Sequence, residues 1–225
     1  MNPLEGIQAV SFDVGGTLID PWPSVGHVYA AAAQEMGLPS FDPAWLNGRF
    51  ATAWRNRTDF NYSREAWASV VVNTFGGSVD DFGLNTRFFQ RLYETFTEPR
   101  VWRVYEDVHP TLSALRQHGL ALAVISNWDD RLRPLLRNLR LDAFFQVIEV
   151  SVESGFHKPD PEIFRRAVRA LRLPARAILH AGDSIREDFE GAQAAGLGAI
   201  LLNRTALSPS AHEIFSLAAL TEGIR

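Results

Sequence analysis

From Asp107 onward the chain alternates apolar runs with amphipathic segments, and no other feature narrows its fold as far. The runs Leu120–Ser126, Phe145–Val150, Ile178–Asp183 and Leu197–Leu202 are short and largely apolar. Strands of that kind are covered on both faces, as in a parallel sheet. Helices are expected between them: from Asp107 to Gly119, over Leu132–Leu139, over Pro161–Leu171 behind an Asp160 cap, and over Glu187–Ala195. Ser208-Pro209 is expected to open a closing helix. Strand and helix in alternation imply an α/β domain with helices on both sides of the sheet.

One further strand, Ile7–Asp13, stands far upstream and ends in a carboxylate followed by Val14-Gly15-Gly16-Thr17. Such a strand carries its acid to the carboxyl edge of the sheet, where open α/β sheets hold ligands. Two glycines let the backbone turn tightly there. Residues 20–103 read as several helices with no convincing strand. The first runs from a Ser24 cap to Met36, the second from Pro43 to Arg57, the third over Arg64–Phe75 behind Ser63, and the fourth over Asn85–Thr97. The chain therefore divides into an α/β core, residues 1–19 and 104–225, and an inserted helical unit, 20–103. Trp45, Trp54 and Trp67 fall in the insertion, where they either fill a bundle core or line a substrate vestibule.

Composition removes several classes of function. A net charge of −4 leaves no basic footprint for nucleic acid. No window is long and apolar enough for a membrane span, and the first residues lack a basic leader, so a cytoplasmic location is the expectation. Without cysteine there is no catalytic thiol and no thiolate metal site. Of the 22 basic residues only Lys158 is a lysine, so chemistry that needs an amine has one candidate.

Four stretches lie beside strand ends: Asp13-Val14-Gly15-Gly16-Thr17, Val124-Ile125-Ser126-Asn127, His157-Lys158-Pro159-Asp160-Pro161 and Gly182-Asp183-Ser184-Ile185-Arg186-Glu187-Asp188. In this order, with a helical insertion after the first, the chain resembles the haloacid dehalogenase-like (HAD) hydrolase superfamily over its whole length. The resemblance implies a Rossmann-like α/β core with an inserted helical-bundle cap, and a phosphatase acting on a small phosphorylated metabolite. Asp13 would be the nucleophile that forms an aspartyl-phosphate. Asp13, Asp183, Asp188 and the main-chain carbonyl of Gly15 would hold Mg²⁺, a hard cation suited to oxygen ligands. Ser126 and Lys158 would act on the phosphoryl group as catalytic residues, and Gly16, Thr17 and Asn127 would help bind it.

The chain departs from the family at one position. Its phosphatases have a second Asp two residues after the nucleophile, where this chain has Gly15. General acid–base help contributes about 10²–10⁴-fold, so ordinary phosphomonoesters become poor substrates and good leaving groups suffer least. His27 is a candidate substitute from the cap. If only the acid is missing, Gly15→Asp should raise activity. The alternative is a weak or inactive phosphoryl-binding or scaffold protein on the same fold. A 2-haloacid dehalogenase would need an arginine soon after the first motif, and Asp20–Ser24 has none. A phosphonate hydrolase would need a cap lysine, also absent.

Overall fold

A computed structural model describes residues 4–205 and 212–222. Among the described residues there are eight strands: β1 (Ala9–Phe12), β2 (Ile19–Pro21), β3 (Trp102–Val104), β4 (Ala121–Ser126), β5 (Val147–Val150), β6 (Ile178–Gly182), β7 (Gly198–Leu202) and β8 (Glu213–Ile214). Six of them form one sheet in the order β5-β4-β1-β6-β7-β8. Every neighbouring pair in it is parallel, as the apolar runs imply.

The register aligns the strand ends. Phe12 of β1 lies opposite Val124 of β4 and Ala181 of β6. Asp13, Ser126 and Asp183 therefore leave three adjacent strands at the same carboxyl edge, the ligand edge of an open sheet. Beneath them Ala9, Ile125 and Ile178 pack with Ile163, Phe164 and Ala167 of the helix Pro161–Leu171. That helix begins where expected, with Asp160 accepting from the Glu162 N–H at 2.8 Å.

Contacts divide the chain into two compact units. One comprises Met1–Ile19, Val104–Arg133 and Arg140–Arg225, and the other comprises Asp20–Arg103 with Pro134–Leu139. Residues 134–139 were expected to belong to the core. They group instead with the inserted unit, where Asn138 donates to the Thr97 carbonyl at 3.0 Å.

The inserted unit holds helices Val25–Glu35, Pro43–Arg55, Arg64–Phe75 and Arg87–Thr95. Ser24, Asp42, Ser63 and Thr86 each cap one through a side-chain oxygen. Gly76 ends the third at φ 66°, in the left-handed region that glycine enters freely. Trp54 and Trp67 stack at 5.4 Å within the unit, whereas Trp45 is exposed. Tyr29, Phe75, Phe88 and Phe89 are buried in its core.

Two features of the described residues differ from the sequence-based expectation. The segment around 20–103 is not free of strands, because β2 and β3 pair at its two ends. Each is only three residues long and finds its partner some eighty residues away, so no local period announces it. The helix expected over Glu187–Ala195 is a π-helical turn, Ile185–Glu190, followed by the short helix Gly191–Ala194. The expected helix start at Ser208-Pro209 lies outside the described residues. No helix among the described residues is long and apolar enough to cross a membrane.

Candidate active site

Asp13 leaves the end of β1 with its side chain buried. Two donors converge on one of its oxygens: Ser126 Oγ donates to Oδ1 at 2.9 Å, and Lys158 Nζ donates to the same atom at 2.6 Å. Lys158 is itself buried and donates also to Asp188 Oδ1 at 2.5 Å. A buried ammonium is tolerated only when paired, and here two carboxylates pair it.

Asn127 fixes Lys158 in place. Its side-chain oxygen accepts from the Lys158 N–H at 2.7 Å and its amide donates to the Lys158 carbonyl at 2.9 Å. The same amide donates to Glu187 at 3.0 Å. Asn127, expected to bind substrate, is thus engaged with the main chain that carries the lysine.

The π-helical turn carries Asp188 back to the strand ends. Phe189 and Asp188 both donate to the Ser184 carbonyl, and the Ser184 N–H donates to Asp188 Oδ2 at 2.9 Å. On its other side Asp188 Oδ1 meets His180 Nε2 at 3.2 Å, while His180 Nδ1 meets Ser11 Oγ at 2.9 Å. Ser11 and His180 are register partners on β1 and β6, both fully buried. Sequence reasoning missed this pair and Glu187. The available signal was a hydroxyl and an imidazole inside otherwise apolar strands, each two or three residues before a site aspartate.

Asp183 is the exposed member of the group. One carboxylate oxygen from each of Asp13, Asp183 and Asp188 lies within 4.8 Å of the others. Gly16, at φ 75°, passes so close to Asp183 that a Cβ there would lie 2.5 Å from the carboxylate. Glycine is thus required twice over, by conformation and by approach. Thr17 is buried, and its hydroxyl has no hydrogen-bond partner among the described residues. His27 shares a 2.8 Å hydrogen bond with Ser24, the cap of its own helix.

Crowding sets the charges. Burial opposes the charge on Lys158, but Asp13 and Asp188 outweigh it and hold the ammonium above its ordinary range. Burial likewise opposes ionisation of Asp188, yet Lys158 and the His180 hydrogen bond hold its carboxyl below the usual carboxylate range. Asp13 goes the other way, because burial and the charge of Asp188 outweigh Lys158. Burial lowers His180, which favours the neutral ring. Asp183, short of water on one side and facing Asp13 and Asp188, is pushed up to about 7. Since Asp183 is exposed, its two like-charged neighbours are the more telling cause. Three carboxylates against one ammonium leave excess negative charge on oxygen donors, the arrangement that a small hard cation relieves.

Known proteins resemble this chain over most of its length. Residues 7–196 match the family of haloacid dehalogenase-like hydrolases. The haloacid dehalogenase-like hydrolase domain-containing protein 3 of Mus musculus is 35% identical over 206 residues, covering 87% of this chain and 82% of that protein. A phosphoglycolate phosphatase of Shigella boydii serotype 4 (strain Sb227) is 30% identical over 211 residues, covering 87% and 81%. The crystal structure of a defluorinating L-2-haloacid dehalogenase superposes with a TM-score of 0.77 over 96% of this chain and 94% of that one. At 18% identity it is evidence of a shared fold alone.

Proposed function

We propose that this chain, which belongs to the haloacid dehalogenase-like hydrolase family, is a Mg²⁺-dependent phosphatase that works through an aspartyl-phosphate at Asp13. The observation that carries the reading is the meeting of Asp13, Asp183 and Asp188 within 4.8 Å, with Lys158 bonded to Asp13 at 2.6 Å. Asp13, Asp183 and Asp188 would hold the ion, with the Gly15 carbonyl as the further ligand that the resemblance implies. Bound there, Mg²⁺ supplies the positive charge that lets a carboxylate approach a phosphate dianion.

In the first step an oxygen of Asp13 bonds to phosphorus as the bond to the leaving oxygen breaks, and the leaving group departs with that electron pair. Ser126 and Lys158 hold the Asp13 carboxylate from the Oδ1 side, so its orientation is set before substrate arrives. Lys158 offsets charge on the phosphoryl oxygens in the transition state. In the second step water attacks phosphorus, the bond to Asp13 breaks, and phosphate leaves. No side chain at position 15 gives or takes the proton, so the solvent does. Leaving groups that depart as stable anions are therefore favoured.

A screen of phosphate esters and acyl phosphates with Mg²⁺, run beside Asp13→Asn, tests the reading. Turnover should vanish in the variant. Turnover that ignores the substitution would remove the mechanism.

A second reading, a phosphoryl-binding protein without turnover, is favoured by Gly15. It predicts binding of inorganic phosphate with no Asp13-dependent release from any ester. Dehalogenation gains least support, because the resemblance gives it no metal and, among the described residues, the three clustered carboxylates would then be paired with Lys158 alone.

A further inference from the structure

Trp128 follows Asn127 in the loop after β4. A Cβ placed on Gly15 would lie 3.2 Å from Cζ3 of its indole and 3.9 Å from Cη2. The ring therefore stands against the backbone two residues beyond Asp13, where any side chain at position 15 would have to begin. The loop that carries it is fixed at both edges. The Trp128 N–H donates to Ser151 Oγ at 3.0 Å, and its carbonyl accepts from the Ser151 hydroxyl at 2.9 Å and from the Val152 N–H at 3.2 Å. Ser151 is buried, and Asp129, which follows Trp128, is locked in a buried ion pair with Arg131 at 2.5 Å.

We infer that Trp128 is a specificity-determining residue whose indole stacks on the leaving group, and that the substrate class is the phosphate ester of a flat aromatic alcohol. The inference rests on the phosphatase reading and narrows it. Two independent demands meet in that class. Glycine at 15 leaves no acid to protonate the departing oxygen, so the leaving group must be a stable anion, and a phenol ionises near 10. A half-buried indole held by an anchored loop beside Gly15 brings an apolar ring to the site at little entropic cost. An acyl phosphate meets the first demand and not the second; an alkyl phosphate meets neither.

The test compares binding of phenylphosphonate and methylphosphonate, neither of which can be hydrolysed, to the full chain with Mg²⁺ by calorimetry. The natural protein should bind the phenyl compound about two- to tenfold more tightly, the range of one aromatic contact. Trp128→Ala should bring that ratio close to one, and Trp128→Phe should recover most of it. If Trp128→Ala loses cooperative unfolding, Trp128→Leu, which keeps apolar volume without a ring, takes its place. In turnover, the kcat/KM ratio of phenyl phosphate to acetyl phosphate should fall by a similar factor, chiefly through KM. Equal binding of the two phosphonates, no binding of the phenyl compound, or a phenyl preference that survives loss of the ring would each overturn the inference. A Trp128-dependent phenyl preference in a protein that hydrolyses neither ester would uphold the stacking role and remove the phosphatase reading instead.

Discussion

Lys158 Nζ lies 2.5 Å from Asp188 Oδ1, with both side chains almost wholly shielded from water. Removing one partner of a buried pair leaves the other charged and unpaired, at a cost of about 3–5 kcal/mol. Lys158→Met should therefore lose roughly that much stability in urea at neutral pH, as well as its turnover. A fully stable Lys158→Met protein would contradict the pairing.

The pair also fixes a pH window. Asp188 is held below its ordinary range, so its contribution is present above about pH 4 and fades as pH falls through the lower folded value. Lys158 is held above its range, so its contribution is complete below about pH 10 and is lost in stronger alkali. Thermal unfolding of Lys158→Met should accordingly differ most from the natural protein between these limits.

Asp183 has the opposite sign. A carboxyl raised to about 7 in the folded chain binds its proton more tightly there than when unfolded. Its stabilising effect is complete below about pH 4 and is lost as pH rises through 7. With chelator present, melting temperature should fall between pH 5 and pH 8, and Asp183→Asn should flatten that fall. Mg²⁺ should raise the melting temperature at pH 8 far more than at pH 5, and not at all in Asp183→Asn. Equal Mg²⁺ stabilisation at both pH values would place the ion elsewhere.

Gly15→Asp would be expected to restore acid–base catalysis if nothing but the acid were missing. Because a Cβ at position 15 meets the Trp128 ring at 3.2 Å, the single substitution should give little gain and lose about 1–3 kcal/mol to overpacking. Gly15→Asp combined with Trp128→Ala should raise kcat on alkyl phosphates at least tenfold. A large gain from the single change would show that the indole yields easily.

Beryllium fluoride with Mg²⁺ mimics a phosphorylated carboxylate. It should raise the melting temperature of the natural protein by several degrees and leave Asp13→Asn unmoved. A shift that persists in the variant would mean the fluoride complex binds away from Asp13.

Local signals carried much of this structure. The helices Arg64–Phe75 and Pro161–Leu171 were readable to the residue because Ser63 and Asp160 cap them by hydrogen bonds to nearby amides. The central strands were readable because burial on both faces makes them apolar. What stayed hidden depends on pairing at long range. The sequence offers no sign that Asn127 would clamp the main chain of Lys158 or that Trp128 would cover Gly15, and the lone imidazole of β6 does not by itself say that His180 meets Asp188. Nor does helical periodicity distinguish a π-helical turn from an α-helix, since the extra residue per turn shows in backbone bonds such as that from Phe189 to Ser184.

The parallel pairing of β1 also bears on how the chain is made. Residues 9–12 leave the ribosome well before their partners, residues 121–124 on one side and 178–181 on the other. Until residues 178–181 have been synthesised, this apolar strand lacks at least one neighbour, and the inserted helical unit emerges before either. Contacts so distant along the chain close slowly. A nascent chain stalled before residue 178 would therefore display β1 as a sticky segment, a natural target for chaperones that survey newborn proteins.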